Sequence, residues 1–409
     1  MQAPAPVSQQ EMRQRNLSRV LYAVAAAGAG PVSRAAVAAR IGLTRAAVST
    51  LVEELLRTGF LVELGPGRSG GVGRPGNALA LTDLGPCGIG AEVGVDHLTV
   101  VAVDLRGKVR ARTTEKASNG AAGSAAVLRR LGALVDRVTA DAGAARLRPA
   151  GLAVAVPGLV SRGSTTVVRA PNLGWYDTDI TAHLAAGGLP VTVENEANYG
   201  ALAELWLGAE GSTPQDFIHV SAEVGIGAAI VLDGELLRGR RGFAGELGHV
   251  PVRPEGPECA CGGRGCLEQY AGEAAVLRAA GIGPAGAHGT DGTGERSTAL
   301  AVLRERAEAG DRATLEALHH AGEALGIALA GAVNLLDPRT VLLGGALAAG
   351  LAPWLLPVLE RELQRRTAAP DPVPELAVST IGSEGPVLGA AHSVVRTVLD
   401  DPLPYAAKR

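Results

Sequence analysis

Three of the chain's four cysteines fall in one stretch, CACGGRGC, at Cys259, Cys261 and Cys266, and His249 stands ten residues before the first of them. Three thiolates and an imidazole make a complete tetrahedral Cys3His donor set, which leaves no open position for water and is therefore structural in kind. Gly262, Gly263 and Gly265 let the backbone wrap tightly between the ligands. Buried free thiols and a redox switch are the competing readings. A disulfide framework is disfavoured, because the cluster leaves one thiol over and Cys87 lies far upstream. Cys87 itself reads as a core thiol. The segment MQAPAPVSQQEMRQRN lacks the basic start and apolar core of a secretory signal, so the expected location is the cytoplasm.

A chain of 409 residues exceeds the size at which single cores stop growing, and 47% apolar against 19% charged residues supplies large cores. Charge is distributed unevenly. Met1 to Asn77 holds nine arginines and no lysine against four glutamates and no aspartate, a formal +5, which leaves −8 for the remainder of a chain whose total is −3. A basic module on an acidic body points to a polyanion for the module alone. The uncharged run Val341 to Leu359 is long enough for a membrane span. Gly344, Gly345, Gly350, Pro353 and Pro357 break it into an expected short buried strand, a glycine turn and a new helix.

Apolar periodicity predicts helices over Leu17 to Ala27, Ser33 to Ile41 and Thr44 to Thr58, with Ser33 and Thr44 as caps and Gly42 as the break. Two short helices about a glycine turn have the form of a helix-turn-helix. In the third segment Val48, Leu51, Val52, Leu55 and Leu56 share one stripe, leaving Arg45, Ala46, Ser49 and Thr50 for a DNA major groove. Ser33, Arg34 and Thr44 complete the candidate contacts on the helices. The stretch LVELGPGRSGGVGRPGNALAL reads as a hairpin wing whose Arg68 and Arg74 lie along phosphates or in a minor groove. A helical packing module with a flexible linker is the plainer alternative. Residues 1–82 are thus expected to form a winged helix-turn-helix domain.

From Gly88 the pattern turns to alternating strands and helices: a hairpin over GIGAEVGVDHLTVVAVDLRGKV, a helix over Ser124 to Ala142, a strand in LAVAVPGLV, and a glycine-broken hairpin in FIHVSAEVGIGAAIVLDGELL. Asp311 to Leu336 reads as a long helix before the strand of RTVLLGGA. A hairpin followed by helices, repeated once, fits a duplicated α/β architecture, so residues 83–400 are expected to form two α/β lobes with a cleft between them.

The order of GIGAEVGVDH, VPGLV, APNLGW, ENEAN, GELGHV, CACGGRGCLE and VLLGGAL resembles the ROK family, which unites bacterial sugar kinases with sugar-responsive repressors. The resemblance spans nearly the whole chain, and the winged helix in front looks like the repressor branch. It implies an actin-like, sugar-kinase-like body of ribonuclease H type, structural Zn2+ at the Cys3His set, a homodimer or homotetramer, operator DNA as partner, and a sugar or phosphosugar as effector. The family's sugar-binding positions correspond to Asn172, Asn195, Glu196, Glu246, His249 and Glu268. One ring nitrogen of the histidine would hold zinc while the other faces the sugar. Taken singly these residues have plain alternatives, Asn172 as a turn cap and Glu268 as a solvated charge, and Trp175 either stacks on a sugar or fills core.

The same resemblance bears on catalysis. Where the family's kinases carry an aspartate base this chain has Glu196, and an extra methylene displaces the carboxylate. Where they carry D-x-G-x-T it has Glu92, Val93, Gly94, Val95 and Asp96, and where they carry G-T-G-x-G it has Glu223, Val224, Gly225, Ile226 and Gly227. A carboxylate opposes nucleotide charge and the missing hydroxyls remove donors, so a non-catalytic sensor is expected. A sugar kinase with an accessory DNA-binding module and a regulator answering to a protein partner are the alternatives.

Overall fold

The first helix, α1 (Gln9–Ala25), begins well before the apolar periodicity does, because cap chemistry starts it: the Ser8 hydroxyl accepts from the Glu11 amide while the Glu11 carboxylate accepts from the Ser8 amide. A two-residue strand, β1 (Val32–Ser33), leads into α2 (Arg34–Ile41), capped by Ser33 and ended by Gly42 at φ +68°. Thr44 caps α3 (Arg45–Arg57), and α2 and α3 are bent by 115° to one another, within the range of a helix-turn-helix. Strands β2 (Leu61–Pro66) and β3 (Asn77–Leu81) pair antiparallel, with β1 on the outer edge of β3. Leu17, Leu21, Val37, Val48, Val52 and Phe60 are fully buried between these elements. The computed structural model describes residues 8–28, 30, 32–66, 77–184, 186–208, 214–283, 293–368 and 373–406.

The first lobe runs β4 (Gly85–Val93), β5 (His97–Asp104), β6 (Val109–Lys116), α4 (Ser124–Ala144) and β7 (Leu147–Val156). A small lip follows, β8 (Leu159–Val160), β9 (Thr166–Ala170) and β10 (Trp175–Asp179), and then β11 (Val191–Asn195) and α5 (Glu196–Leu207). The second lobe runs β12 (Phe217–Ala222), β13 (Ile226–Leu232), β14 (Glu235–Leu236), α6 (Glu268–Ala271), α7 (Glu273–Ala279), α8 (Thr293–Glu308), α9 (Arg312–Leu336), β15 (Thr340–Gly344), α10 (Gly345–Arg366) and β16 (Glu375–Val378). The last helix, α11 (Gly385–Asp400), returns to the first lobe.

The duplication is explicit in the strand order. In the first lobe β4, β5 and β6 form an antiparallel meander, β7 joins β4 in parallel and β11 joins β7 in parallel. In the second β12, β13 and β14 meander, β15 joins β12 in parallel and β16 joins β15 in parallel. The hairpin expected from Gly88 is therefore three strands from Gly85. Its third member, VRARTTEK, is a half-exposed edge strand too polar to read as one. The run from Val341 to Leu359 divides as expected, with Gly345 at φ +85° turning the chain from β15 directly into α10 and both prolines inside that helix. Among the described residues no single helix is long and apolar enough to cross a membrane.

Three glycines let α11 sit unusually close to its neighbours. A Cβ on Gly88 or Gly90 of β4 would overlap the carbonyl oxygens of Ala391 and Val387, and one on Gly389 would overlap the carbonyl of Tyr199 in α5. The start of α11, Gly385 and Pro386, lines the cleft between the lobes. At its far end the Arg396 guanidinium lies between two rings, 5.1 Å from that of Tyr22 and 4.7 Å from that of Trp206. The Tyr22 hydroxyl donates to Asp400 Oδ1 at 2.7 Å, and burial together with that bond raises its pKa. One apolar core accordingly runs from the winged helix through α11 and α5 into the first lobe. Gly389→Ala is expected to force α5 and α11 apart at a cost of about 1–3 kcal/mol. Gly331→Ala on α9, where nothing lies within 4 Å of the added atom, is expected to be neutral or stabilising by at most about 1 kcal/mol. Urea denaturation of the two variants checks the contrast.

Candidate functional site: ligand cleft and metal cluster

His249 ends a single 3-10 turn, Leu247–His249, and the loop after it folds back so that Pro251 bridges Cys266 and the Cys259 amide donates to the Gly263 carbonyl at 2.9 Å. One donor atom from each of His249, Cys259, Cys261 and Cys266 lies within 4.8 Å of the other three. Cys259 Sγ stands 3.7 Å from His249 Nδ1, and Cys261 Sγ stands 3.7 Å from Cys266 Sγ. Tetrahedral sulfurs bound at about 2.3 Å to zinc sit about 3.8 Å apart, so the donors already hold coordination spacing. Burial raises the Cys261 thiol, but the Gly263 amide, the neighbouring sulfurs and the Arg169 charge outweigh it and hold it below the usual range. Burial and the sulfurs of Cys261 and Cys259 push Cys266 up to about 12. The donor set fits a soft divalent cation.

Beside this cluster a cleft of about 150 Å³ opens between the lobes, lined by all six of the expected polyol-binding residues. His249 belongs to both places, its Nδ1 toward Cys259 and its Nε2 3.9 Å from Glu246 Oε2. Glu268, first residue of α6, accepts from the Ile226 amide at 3.2 Å through Oε2. Gly225 faces it, where a Cβ would overlap that carboxylate and lie 3.7 Å from Asn172 Nδ2. Burial raises the Glu246 carboxyl above its ordinary range; His249 opposes this and the Glu268 charge adds to it.

Asn195 has further duties. Its Oδ1 accepts from the amides of Ala197 and Asn198 at the start of α5, and its Nδ2 donates to the Gly158 carbonyl at 2.9 Å. One amide hydrogen remains for a ligand. The Glu194 carboxylate reinforces the same corner, accepting from the Asn195 amide, Asn198 Nδ2 and Arg238 Nε. Trp175 is 2% exposed within the first-lobe core, which makes it filler and no stacking face.

By topology the β4–β5 turn and the β12–β13 turn are equivalent, and both line the cleft. In the first, the His97 ring covers Gly94 so closely that a Cβ there would overlap it. His97 Nδ1 is 2.8 Å from Asp96 Oδ1, and Nε2 is 3.4 Å from Glu92 Oε1. Burial opposes a charge on this ring, but the bonds and charges of Asp96 and Glu92 prevail and hold its pKa up to about 10. Deeper in the cleft lie two more buried groups. His219 is driven down to about 4 by burial, and its Nδ1 is enclosed without a hydrogen-bond partner. Glu204 accepts from the Ser379 hydroxyl. The sequence assigned none of these three a role: His97 closes the GIGAEVGVDH motif, but it meets Glu92 only through the turn that joins β4 to β5.

On the winged helix, Thr44, Arg45, Ala46 and Thr50 are exposed and Ser49 is half-buried. Arg34 is half-buried and paired with Glu53 at 2.6 Å and Glu63 at 3.0 Å, tying α2 to α3 and β2. Arg68 and Arg74 lie outside the described residues.

Comparison with known proteins adds a lineage to this geometry. The ROK family pattern matches residues 88–397, leaving the winged helix in front of it. A xylose repressor of Caldicellulosiruptor bescii is 32% identical over 379 residues, 91% of this chain and 93% of its own. Among solved structures, a ROK family transcriptional regulator described as a homologue of the E. coli MLC protein superposes with a TM-score of 0.75 at 26% identity, covering 96% of this chain and 98% of its own. A ROK family glucokinase from Streptomyces griseus, in complex with glucose and AMPPNP, superposes with a TM-score of 0.61 at 26% identity, covering 98% of its own chain but 75% of this one.

The His97 pair makes a prediction about pH. Its folded pKa of about 10 stands above the 6.5 of an unfolded histidine. The stabilisation it gives is therefore complete below pH 6.5 and drains away as pH rises toward 10. His97→Gln is expected to narrow the loss of unfolding free energy between those limits by at least about 1 kcal/mol after solvent screening. Urea denaturation of both proteins at the two pH values measures it, and an unchanged difference would mean an uncharged ring.

Proposed function

This chain belongs to the ROK family, and from that premise we propose that it is a sugar-responsive transcriptional repressor, an operator-binding winged helix governed by a sugar held in a non-catalytic cleft. One observation carries the reading above the rest: the winged helix shares a continuous core with the helix whose start lines the cleft, so occupancy of the cleft has a direct mechanical route to the DNA-binding element. The regulator relatives support it, since their match extends over the winged helix while the glucokinase structure accounts for three-quarters of the chain.

In this reading Arg45, Ala46, Ser49 and Thr50 face the major groove and Thr44 caps their helix. Arg68 and Arg74 follow the phosphates. Asn172, Glu246, His249 and Glu268 take the sugar hydroxyls, Asn195 adds one amide hydrogen, and Glu196 completes the set from the first turn of α5. The name of the xylose repressor makes an aldopentose the first candidate effector. Zinc held by His249 Nδ1, Cys259, Cys261 and Cys266 would supply a fixed crosslink and no chemistry of its own. That crosslink sets the imidazole plane so that Nε2 faces the cleft, and it anchors the loop that runs into Glu268. Two copies in a cytoplasmic homodimer or a dimer of dimers would place recognition helices roughly 34 Å apart, one turn of DNA.

Phosphoryl transfer is disfavoured by three features. His97 fills the first phosphate turn and is already neutralised by Glu92 and Asp96, Glu223 brings a negative charge to the second turn, and Glu196 stands at the position of the kinases' aspartate base. A sugar kinase with an accessory DNA-binding module is the second reading, favoured by the carboxylate that Glu196 retains.

Fluorescence anisotropy with the chain's own upstream DNA is expected to give binding that weakens steeply with salt and is released by xylose or a related aldose. A coupled ATPase assay with the same sugars is expected to give no turnover. Turnover abolished by Glu196→Ala, without salt-dependent DNA binding, would establish the kinase. Cys259→Ser is expected to lower thermal stability and weaken the sugar response together, the first read by calorimetry and the second by the sugar concentration that releases DNA. A folded, zinc-free variant with an unchanged response would separate the metal from the cleft.

A further inference from the structure

The lip β8–β10 belongs to the first lobe, yet it is fastened to the second in two places. One is Arg162, whose amide donates to the Arg241 carbonyl at 2.9 Å and whose guanidinium donates to the Gly239 carbonyl at 3.3 Å. The other is the side chain of Arg169 in β9. Its guanidinium donates to the carbonyl oxygens of Ala260 and of Cys261, the latter at 3.2 Å, which are backbone groups of the metal loop itself. Its Nε is buried without a hydrogen-bond partner, so the group is seated between the lobes and not free to fall back into solvent.

The neighbours of Arg169 are the cleft's own components. In the lip it faces Tyr176 across to β10, and three residues further on the chain reaches Asn172. Its backbone carbonyl abuts Gly158, which stands at φ +143° and whose own carbonyl receives the Asn195 amide. On the far side, Ala260 lines the cleft and the metal loop continues into Glu268. Charge explains why an arginine suits the place: three thiolates with one divalent cation sum to a single negative charge, and a guanidinium on the adjoining carbonyls balances it.

We propose that Arg169 is a positioning residue that latches the lip to the metal loop, so that an occupied metal cluster holds Asn172 and Glu268 at fixed spacing across the cleft. The latch makes order in the lip a function of order in the metal loop. It deepens the sugar-binding reading by naming what closes the cleft, but its test needs neither sugar nor DNA and so fails or succeeds apart from that reading.

Hydrogen exchange on the full chain, loaded with zinc and then stripped with EDTA, provides the test. In the unaltered protein, stripping is expected to speed exchange both in the metal loop, residues 258–268, and in the lip, residues 166–179. With Arg169→Ala, lip amides are expected to exchange about tenfold faster even in the zinc-loaded protein, the change that loss of charge-assisted bonds would bring. Stripping should then affect the metal loop alone. Arg169→Lys, which keeps the charge and one donor, should fall between the two and stands in should the alanine variant fail to fold. Lip exchange that ignores zinc in the unaltered protein, or a lip that stays coupled to zinc in both variants, would overturn the latch.

Discussion

The close approach of α11 to β4 and α5 is the constraint on which the remaining geometry rests. Helices ordinarily stand off a sheet by the thickness of their side chains, and here Gly88, Gly90 and Gly389 remove that thickness at the points of contact. Because α11 lies so near, its first residues enter the cleft while its last turn still reaches Tyr22 in the winged helix. Because α5 is held against it, the corner formed by Glu194, Asn195 and Glu196 cannot drift. Asn195 and Glu196 are thereby referred to one packed junction. In the second lobe the loop carrying Cys259, Cys261 and Cys266 brings His249 and Glu268 to the same cleft by tight backbone turns.

Much of this was legible in the sequence, and the reasons are physical. Ser33, Gly42 and Thr44 marked the helix-turn-helix because caps and left-handed turns depend on short-range chemistry. The Cys3His set was legible because ligand spacing along a tight loop nearly determines proximity. Asn172, Asn195, Glu196, Glu246, His249 and Glu268 line one cleft because each sits at the edge of a motif, at a strand end, a turn or a helix start, where chain direction is set locally.

What escaped reading depends on contacts between segments distant in sequence or on register. Arg34 looked like a groove contact, and Glu53 and Glu63, brought beside it by α3 and β2, pair with it at the module's surface. Arg169 carries no motif, and its role becomes visible only when the lip is set against a loop some ninety residues later. His97 was invisible for a related reason. Its ring meets Glu92 because β4 and β5 fold back on one another, and the sequence shows only a histidine after an aspartate. The edge strand Val109–Lys116 escaped because half its residues face solvent and its polarity hides the alternation.

The repeated strand order has one more consequence. Each lobe repeats the same five-stranded plan, and each offers the turn after its first strand to the shared cleft. The two turns belong to separate sheets, so a change in one leaves the strand order and register of the other in place. Both jaws line the cleft, Asn195 and Glu196 from one and His249 and Glu268 from the other, so each can alter its own share of the lining.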